Sequence, residues 1–261
     1  MSRYPRLHPE LLELREEHLE PAFVAAVRSG TEAALRSVLR PVAGAKDLFT
    51  LPVLTRGWCE RLHAEVRAIT TWTAAQGLSP TRPNSMNRYG LVLDELGYEP
   101  AFAALVRDWL QPFGALLYPE VGGATLDDHH AFVVQYDARE DGGDVELGFH
   151  VDQSDVTLNL CLGGAFEGGE LYFRGRRCAL HQGTPSSPAE DLEYEHLPGV
   201  GLLHAGKHRH GAHPITSGAR CNLIVWCMSS SELERQEAEG ATCRPWCAVG
   251  SPRASVSSTS E

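Results

Sequence analysis

No stretch of the 261-residue chain approaches the roughly 18 uncharged apolar residues that a membrane span needs. The opening MSRYPRLHPELLELREEHLEP sets no apolar core behind its basic residues, so an export signal is not expected either. The expectation is a soluble, cytoplasmic protein without a membrane partner. Basic charge is short as well: Lys+Arg 23 against Asp+Glu 34 leaves −11, which repels phosphate backbones and makes nucleic acid a poor partner. Seven scattered cysteines, an odd number, do not make a secreted disulfide framework, so reduced thiols are expected. There is no HExxH pair, no GxSxG elbow and no GxGxxG opening a helix, which removes the minimum parts of a zincin, an α/β hydrolase or a Rossmann dehydrogenase. The run GLLHAGKH (201–208) mimics a phosphate loop, but His208 stands where Ser or Thr is needed and no helix pattern follows. No internal repeat is visible.

What is present is an ordinary globular composition, 43% hydrophobic and 22% charged, with a surplus of turn formers, Gly 25 and Pro 16. The first third carries helical periodicity. Leu11, Leu12, Leu14, Phe23, Val24 and Val27 predict helix between Pro9 and about Leu39. Leu62, Val66 and Ile69 predict a second from Arg56 to Ala74; Phe102, Leu105, Trp109 and Phe113 predict a third from Glu99 to Leu117. Between these two, SPTRPNSMNRYG (79–90) reads as a connection rich in Pro and Asn.

After residue 125 the texture changes to short runs of strand type separated by glycine turns: 131–136, 155–162, 169–175, 200–205 and 220–227. This spacing predicts an antiparallel sandwich or barrel. In DVTLNLCL (155–162), alternation puts Thr157, Asn159 and Cys161 on one face and Val156, Leu158, Leu160 and Leu162 on the other. The last strand offers Arg220, Asn222, Ile224 and Trp226 on one side, an odd place for a guanidinium unless an anion waits there. The glycines of GGAFEGGE permit positive φ at Gly168 and Gly169. Beyond the strands, Ser231 followed by Glu234 fits a capping box opening a short exposed helix, and SPRASVSSTSE is expected to be disordered. Cys243 and Cys247 form a C-x3-C pair that needs help from elsewhere to hold zinc. No second pair of matching spacing follows, so surface thiols are the plainer expectation.

Twelve histidines are many for this length, and five crowd between residues 196 and 213. The sharper signal is GFHVDQSD, where His150 and Asp152 stand two apart before a strand. That is the H-x-D half of a facial triad, two imidazoles and a carboxylate that leave one side of an octahedral Fe(II) open. The second half follows in order in HGAHPITSGARCNLIVW, with His210, Pro214, Gly218 and Arg220. If His210 completes the triad, Arg220, ten residues on, is expected to enter the same cavity from the strand, where it can pair bidentately with a carboxylate lying away from the metal. His204, His208 and His213 are rivals by distance, but choosing His208 or His213 shifts the register that aims Arg220.

These segments, together with PNSMNRYG, LQPFGALLYPEVGG, AFVVQYD and TLNLCLGGAFEGGELYF, resemble the Fe(II)- and 2-oxoglutarate-dependent oxygenases of the prolyl 4-hydroxylase-like branch. The likeness spans about residues 83–226 and points to the oxygenase-domain-containing proteins within that branch. The resemblance implies an α+β chain with a mainly β core, a double-stranded β-helix (jelly roll, cupin-like) braced by N-terminal helices. The organisation expected from it is a helical segment over 1–45, an oxygenase domain over 46–230 with its β core at about 125–230, and a short helix with a tail over 231–261. It implies Fe(II) on His150, Asp152 and His210, with 2-oxoglutarate as cosubstrate held by Arg220 and by Tyr136, Thr157 and Asn159, O2 as co-reactant and ascorbate as an accessory reductant. Because Asp152 is a carboxylate, hydroxylation and not halogenation is the implied outcome. The substrate expected from the likeness is a peptidyl proline or lysine, or a small metabolite, and the negative charge leans towards a neutral or basic target. The loop at 79–90 and the segment 176–198 are expected to border the cleft. A jelly-roll scaffold without activity, and a hydrolytic zinc enzyme on the same ligands, are the alternatives. The chain departs from the family in a longer acidic loop, DAREDGGDVE (137–146).

Overall fold

The computed structural model describes residues 4–139 and 142–249, so the tail expected to be disordered lies outside the described residues. The N-terminal part is helical but segmented. Single turns of 3-10 helix at Pro9–Leu12 and Glu16–His18 precede α1 (Pro21–Ser29) and α2 (Glu32–Val38). The expected long helix is broken because Pro21 lacks the amide a continuing helix would use and Gly30 turns left-handed at φ 64°. After β1 (Arg40–Pro41) and β2 (Leu48–Leu51), α3 (Arg56–Ala75) runs twenty residues from the Thr55 cap, whose hydroxyl accepts from the Trp58 amide. Strand β3 (Gly90–Val92) leads to α4 (Glu99–Ala104) and α5 (Gln111–Leu117), joined by π-helical Leu105–Leu110. The widened turn has a local cause: Pro112 offers no N–H and would crowd the carbonyl one turn back in a regular α-helix.

The β part follows as β4 (Asp128–Asp137), β5 (Leu147–His150), β6 (Val156–Gly163), β7 (Phe166–Gly168) and β8 (Leu171–Arg176). It continues with β9 (Asp191–Tyr194), β10 (Gly201–Ala205), β11 (His208–Ala212), β12 (Ile215–Met228) and the terminal helix α6 (Ser230–Glu239). Every pairing is antiparallel. A larger sheet runs β1-β2-β10-β6-β12-β4-β3, with β7 paired to the start of β12, and a smaller one runs β5-β11-β8-β9. This is the two-sheet α+β jelly roll that the strand spacing and the resemblance predict.

Alternation along the large sheet decides what faces where. Leu223, Val225 and Cys227 of β12, Ala131 and Val133 of β4, and Leu158 and Leu160 of β6 join the helices in the main core, built on Trp58, Phe23, Phe102 and Phe113. The other face of the same strands, including Phe132, Val134, Tyr136 and Ile224, points between the sheets. Two corrections concern the C-terminal end. The cap of α6 is Ser229, not Ser231: its hydroxyl accepts from the Glu232 amide, and three serines in a row make both registers fit the capping pattern. The helix is also less exposed than expected, with Glu232 buried and ion-paired to Arg235. Among the described residues no helix is long and apolar enough to cross a membrane.

A buried carboxylate on α3 fastens the backbone of the N-terminal arm, beside the Tyr4–Trp72 ring contact and the Arg6 bond to the Leu96 carbonyl. Glu65 of α3, 0% exposed, accepts the amides of Leu7 and His8 at 2.9 and 2.8 Å. Replacing Glu65 by Ala strands two partly buried N–H groups, and the expected loss is about 2–4 kcal/mol of unfolding free energy in urea melts. A change within about 0.5 kcal/mol, the range of ordinary surface substitutions, would show that the arm is not fastened there.

Candidate functional site

Strand pairing builds the site. In the β5–β11 ladder His150 and His210 are direct cross-strand partners, with ring centroids 4.3 Å apart. Each Nδ1 lies against a carbonyl two residues earlier, His150 on Gly148 O at 2.8 Å and His210 on His208 O at 2.9 Å. A carbonyl only accepts, so both Nδ1 atoms carry the proton and both Nε2 atoms keep a free lone pair. Those lone pairs face one oxygen: Asp152 Oδ1 is 3.4 Å from His150 Nε2 and 3.8 Å from His210 Nε2. One ligand atom from each of the three residues lies within 4.8 Å of the others.

The other carboxylate oxygen is fixed by the protein. Thr157 donates to Asp152 Oδ2 at 2.6 Å and is itself 2.7 Å from Ser154 Oγ. The Asp152 backbone is pinned too, its amide to Gly206 O and its carbonyl by Lys207 Nζ, both at 2.9 Å. Burial raises the Asp152 carboxyl pKa, but the imidazoles of His210, His150 and His204 outweigh it and hold the group well below the usual carboxylate range. Burial lowers His210 to about 3, which keeps it neutral. Burial also lowers His150, but the hydrogen bond and charge of Asp152 prevail and raise it. Of the two rings His210 is held neutral and His150 must give up any proton on ligation; two neutral imidazoles around an ionised carboxylate are then the donor set a divalent first-row metal takes.

The three rivals have other engagements. His204 is fully buried, with Nδ1 on Ala205 O and Nε2 3.8 Å from Asp152 Oδ2, behind the oxygen that Thr157 holds. His208 lies 3.5 Å from Asp47, and His213 pairs with Glu193 at 2.8 Å.

Between the sheets lies a cavity of about 490 Å³ that His150, Asp152 and His210 line together with Arg220, Tyr136, Thr157 and Asn159. Arg220, 2% exposed, is paired across the sheet with Tyr136, its guanidinium 4.6 Å from that ring. Its Nη1 donates to the Gly169 carbonyl, whereas Nε and Nη2 are buried with no hydrogen-bond partner among the described residues. The glycines of the motif have structural reasons. Gly169 turns at φ 76°, and Gly218, at φ 75°, passes so near Ala165 that a Cβ would stand 1.8 Å from its carbonyl oxygen. Burial raises the Tyr136 phenol, so at neutral pH it is a proton donor. Asn159 accepts from Asn222 Nδ2 at 2.8 Å, a partner not singled out from sequence as a site residue.

Thr157 has moved in role: its one hydroxyl proton goes to Asp152, so it orients a carboxylate and is not a donor towards the open cavity. Of the two expected border segments, only the first is there. Pro83, Asn84, Met86 and Asn87 line the cavity, and the acidic loop is drawn to the same segment by Arg88, 2.7 Å from Asp144. None of residues 176–198 lines it. That segment is folded onto itself and onto β11 by Arg177 on Glu190 and by Arg209 on the Gln182 and Thr184 carbonyls. The surface-thiol expectation for Cys243 and Cys247 is half right, since Cys243 is exposed and Cys247 buried, beside Cys178 and His181.

Comparison with known proteins adds the following. The family described as the OGFOD2-like domain matches residues 1–123, the helical part. The chain is 43% identical to the 2-oxoglutarate and iron-dependent oxygenase domain-containing protein ICU11 of Arabidopsis thaliana, over 90% of this chain and 58% of that protein. It is 40% identical to the 2-oxoglutarate and iron-dependent oxygenase domain-containing protein 2 of Homo sapiens, over 88% of this chain and 64% of that protein. The chain thus spans about three fifths of the length of the curated relatives it matches. Among solved structures, the non-heme alpha ketoglutarate dependent carbocyclase SnoK from nogalamycin biosynthesis superposes with a TM-score of 0.50 at 14% identity, covering 91% of each chain, a likeness of fold.

Two outcomes are expected from this geometry. Thr157→Val, which keeps shape but frees Asp152 Oδ2, should weaken divalent-metal binding by roughly 10–100-fold in a Co(II) or Mn(II) titration; unchanged affinity would remove Thr157 from the site's support. The second concerns acid. Burial lowers His196 and His204 to about 4 and His208 to about 3 from 6.5, so between those limits the unfolded chain binds protons that the folded chain refuses. Asp155, pushed up to about 6 by burial, works in the opposite sense above its usual 3.8, as do Asp47, raised by burial, and His130 and His150, raised by Asp94 and Asp152; but burial also lowers His18, His63 and His210, so the lowered imidazoles are in the majority. The metal-free protein should therefore be most stable above pH 6.5 and lose stability steadily towards pH 4, read as the urea midpoint against pH. A flat profile over that range would contradict the neutral-imidazole assignment.

Proposed function

Since the chain belongs to the 2-oxoglutarate and iron-dependent oxygenase domain-containing proteins, we propose that it is an Fe(II)- and 2-oxoglutarate-dependent dioxygenase that hydroxylates a substrate C–H bond. The observation that carries this reading is the guanidinium of Arg220. It is a buried cation with two donor atoms unpaired, and it lines the same cavity as three converging metal-type donors. An unpaired buried charge is costly, and a dicarboxylate with one end among the triad donors and the other on Arg220 satisfies both ends of the cavity at once. The donor set fits Fe(II), and the orphaned guanidinium fits the far carboxylate of the cosubstrate.

His150 and His210 would hold the ion through Nε2, with Asp152 through Oδ1, leaving one side open to exchangeable ligands. When bound, Fe(II) and 2-oxoglutarate supply the activation of O2 and the oxidation of the C–H bond. The protein's part is placement. Backbone carbonyls fix the tautomer and plane of both imidazoles, and Thr157 stops the carboxylate from rotating. Arg220 pairs with the distal carboxylate of the cosubstrate, and Tyr136, kept protonated by burial, donates a hydrogen bond beside it. Asn159, held by Asn222, presents its remaining polar edge to the same space. Phe132, Val134, Ile224 and Trp226 supply the apolar lining that limits water around the reacting centre. The substrate, a peptidyl proline or lysine or a small metabolite, enters past the 83–87 loop, and ascorbate serves to keep the iron ferrous.

The test is succinate formation from 2-oxoglutarate with Fe(II), ascorbate and pools of peptides and metabolites. The wild type should turn over, and Asp152→Ala should not. Arg220→Ala should raise the 2-oxoglutarate concentration needed for half-maximal rate by more than tenfold, the loss of a charge-assisted pair of roughly 1.5–3 kcal/mol. An Arg220→Ala variant with unchanged 2-oxoglutarate dependence would sink the clamp. Fe(II) binding without succinate from any pool would favour a scaffold module, and turnover with Zn(II) alone a hydrolase.

A further inference from the structure

A second cluster of metal-type ligands lies outside the cavity. Cys178 and His181, on the connection that leaves β8, meet Cys243 and Cys247 from the segment after α6, and one ligand atom of each lies within 4.8 Å of all the others. We propose that this is a structural zinc site, Cys3His, closed and four-coordinate, fastening the C-terminal segment to the β8–β9 connection.

The distances discriminate between a metal and a hydrogen bond. His181 Nδ1 is 3.2 Å from Cys178 Sγ, 3.6 Å from Cys243 Sγ and 3.5 Å from Cys247 Sγ. One ring N–H points in one direction and serves one sulfur well. Three sulfurs at nearly equal distance surround the nitrogen as the corners of a tetrahedron surround one another. Zinc bonds of about 2.3 Å to sulfur and about 2.0–2.1 Å to nitrogen set an S···N edge of about 3.6 Å, which is what the cluster shows. A disulfide would use two of the three sulfurs and leave the third and the imidazole without a role. Three soft thiolates and one imidazole select zinc, in contrast to the sulfur-free triad of two imidazoles and a carboxylate proposed for Fe(II).

Charge gives an independent reason. Arg177 and Arg209, 2% and 3% exposed, lie beside the cluster and feel the field of Cys247. Arg177 takes Glu190, whereas the hydrogen bonds of Arg209 go to backbone carbonyls, among them Gln182 and Thr184. Glu190 is taken by Arg177, and no carboxylate oxygen contacts Arg209 among the described residues, so one guanidinium in a site with little water has no directly bonded anion. Zinc with three thiolates and a neutral imidazole carries one negative charge, which balances it. The arm is already docked for this purpose: Trp246 stacks on Arg176 at 5.2 Å, and the Ala248 amide reaches the Arg176 carbonyl at 3.4 Å.

Metal analysis of the full chain, purified without added metal, tests the proposal. The expected result is one zinc per chain, retained in His150→Ala, where the triad is broken, and reduced at least tenfold in Cys247→Ser and in His181→Ala. Zinc that persists in both of those variants, or that leaves with His150→Ala alone, overturns the site. Should both variants fail to fold, Co(II) exchanged into the wild type gives the second measurement. Thiolate-to-cobalt charge transfer with intense tetrahedral d–d bands supports the assignment, and a weak octahedral spectrum without charge transfer overturns it. A Cys243–Cys247 disulfide found by mass spectrometry in protein purified without air would overturn it as well.

Discussion

A carboxylate only 4% exposed, set among three imidazoles, is the interaction around which the large and small sheets are arranged. Left alone, such a charge would be neutralised by taking up a proton. Here the Thr157 hydroxyl donates to Oδ2 and the surrounding imidazoles favour the ionised form, whereas Oδ1 faces the Nε2 atoms of His150 and His210, where lone pairs converge on the place a cation would take. That division requires the small sheet to bring β5 and β11 into one register and the large sheet to present β6 from the other side. A shift of one residue between β5 and β11 would send His210 to the opposite face, and no local rearrangement could recover the triad.

The same economy governs β12. Its fourteen residues belong to two environments at once: Leu223, Val225 and Cys227 seal the helical core, and Arg220, Asn222, Ile224 and Trp226 line the cavity. A strand anchored by its apolar face against α3 and the aromatic cluster can hold a buried guanidinium on its other face, because the packing energy of the first is independent of the charge on the second. The helices are therefore more than a cover. They fix the plane of the sheet from which the cavity residues project, and the β12 pairing with both β4 and β6 makes that plane rigid.

How much of this was legible in the sequence follows the range of each signal. Strand alternation is local, so the inward faces of 155–162 and 220–227 were readable without a structure, as was the H-x-D followed by a histidine, a glycine and an arginine in fixed order. Thr157 was placed on the right face but given the wrong neighbour, since a hydroxyl's choice between Asp152 and a ligand depends on the turn at Ser154, not on alternation. The segment 176–198 was expected at the cleft because loops around barrels often are. Its own guanidinium network turns it away, a tertiary effect with no local signature. The partners of Cys243 and Cys247 were missed for a related reason. Cys178 and His181 form a C-x2-H pair, not a second C-x3-C, and they stand more than sixty residues earlier.

If both clusters take a metal, as proposed, the question is why one ion would not fill both. Affinity alone cannot sort them, because most nitrogen and oxygen sites prefer zinc to ferrous iron. Donor type and geometry can. The cluster at Cys178 would enclose an ion with three sulfurs and one imidazole nitrogen, a shape in which zinc loses nothing by being four-coordinate and has no place for O2 or an oxidisable ligand. The triad offers two imidazole nitrogens and one carboxylate oxygen and leaves the rest to exogenous ligands; on the proposed reading a dicarboxylate on Arg220 would complete the coordination, and occupancy would be decided by the cosubstrate as much as by the protein. Keeping the thiolates in a separate closed site would also hold easily oxidised side chains away from the cavity proposed for oxygen chemistry, which no cysteine lines among the described residues.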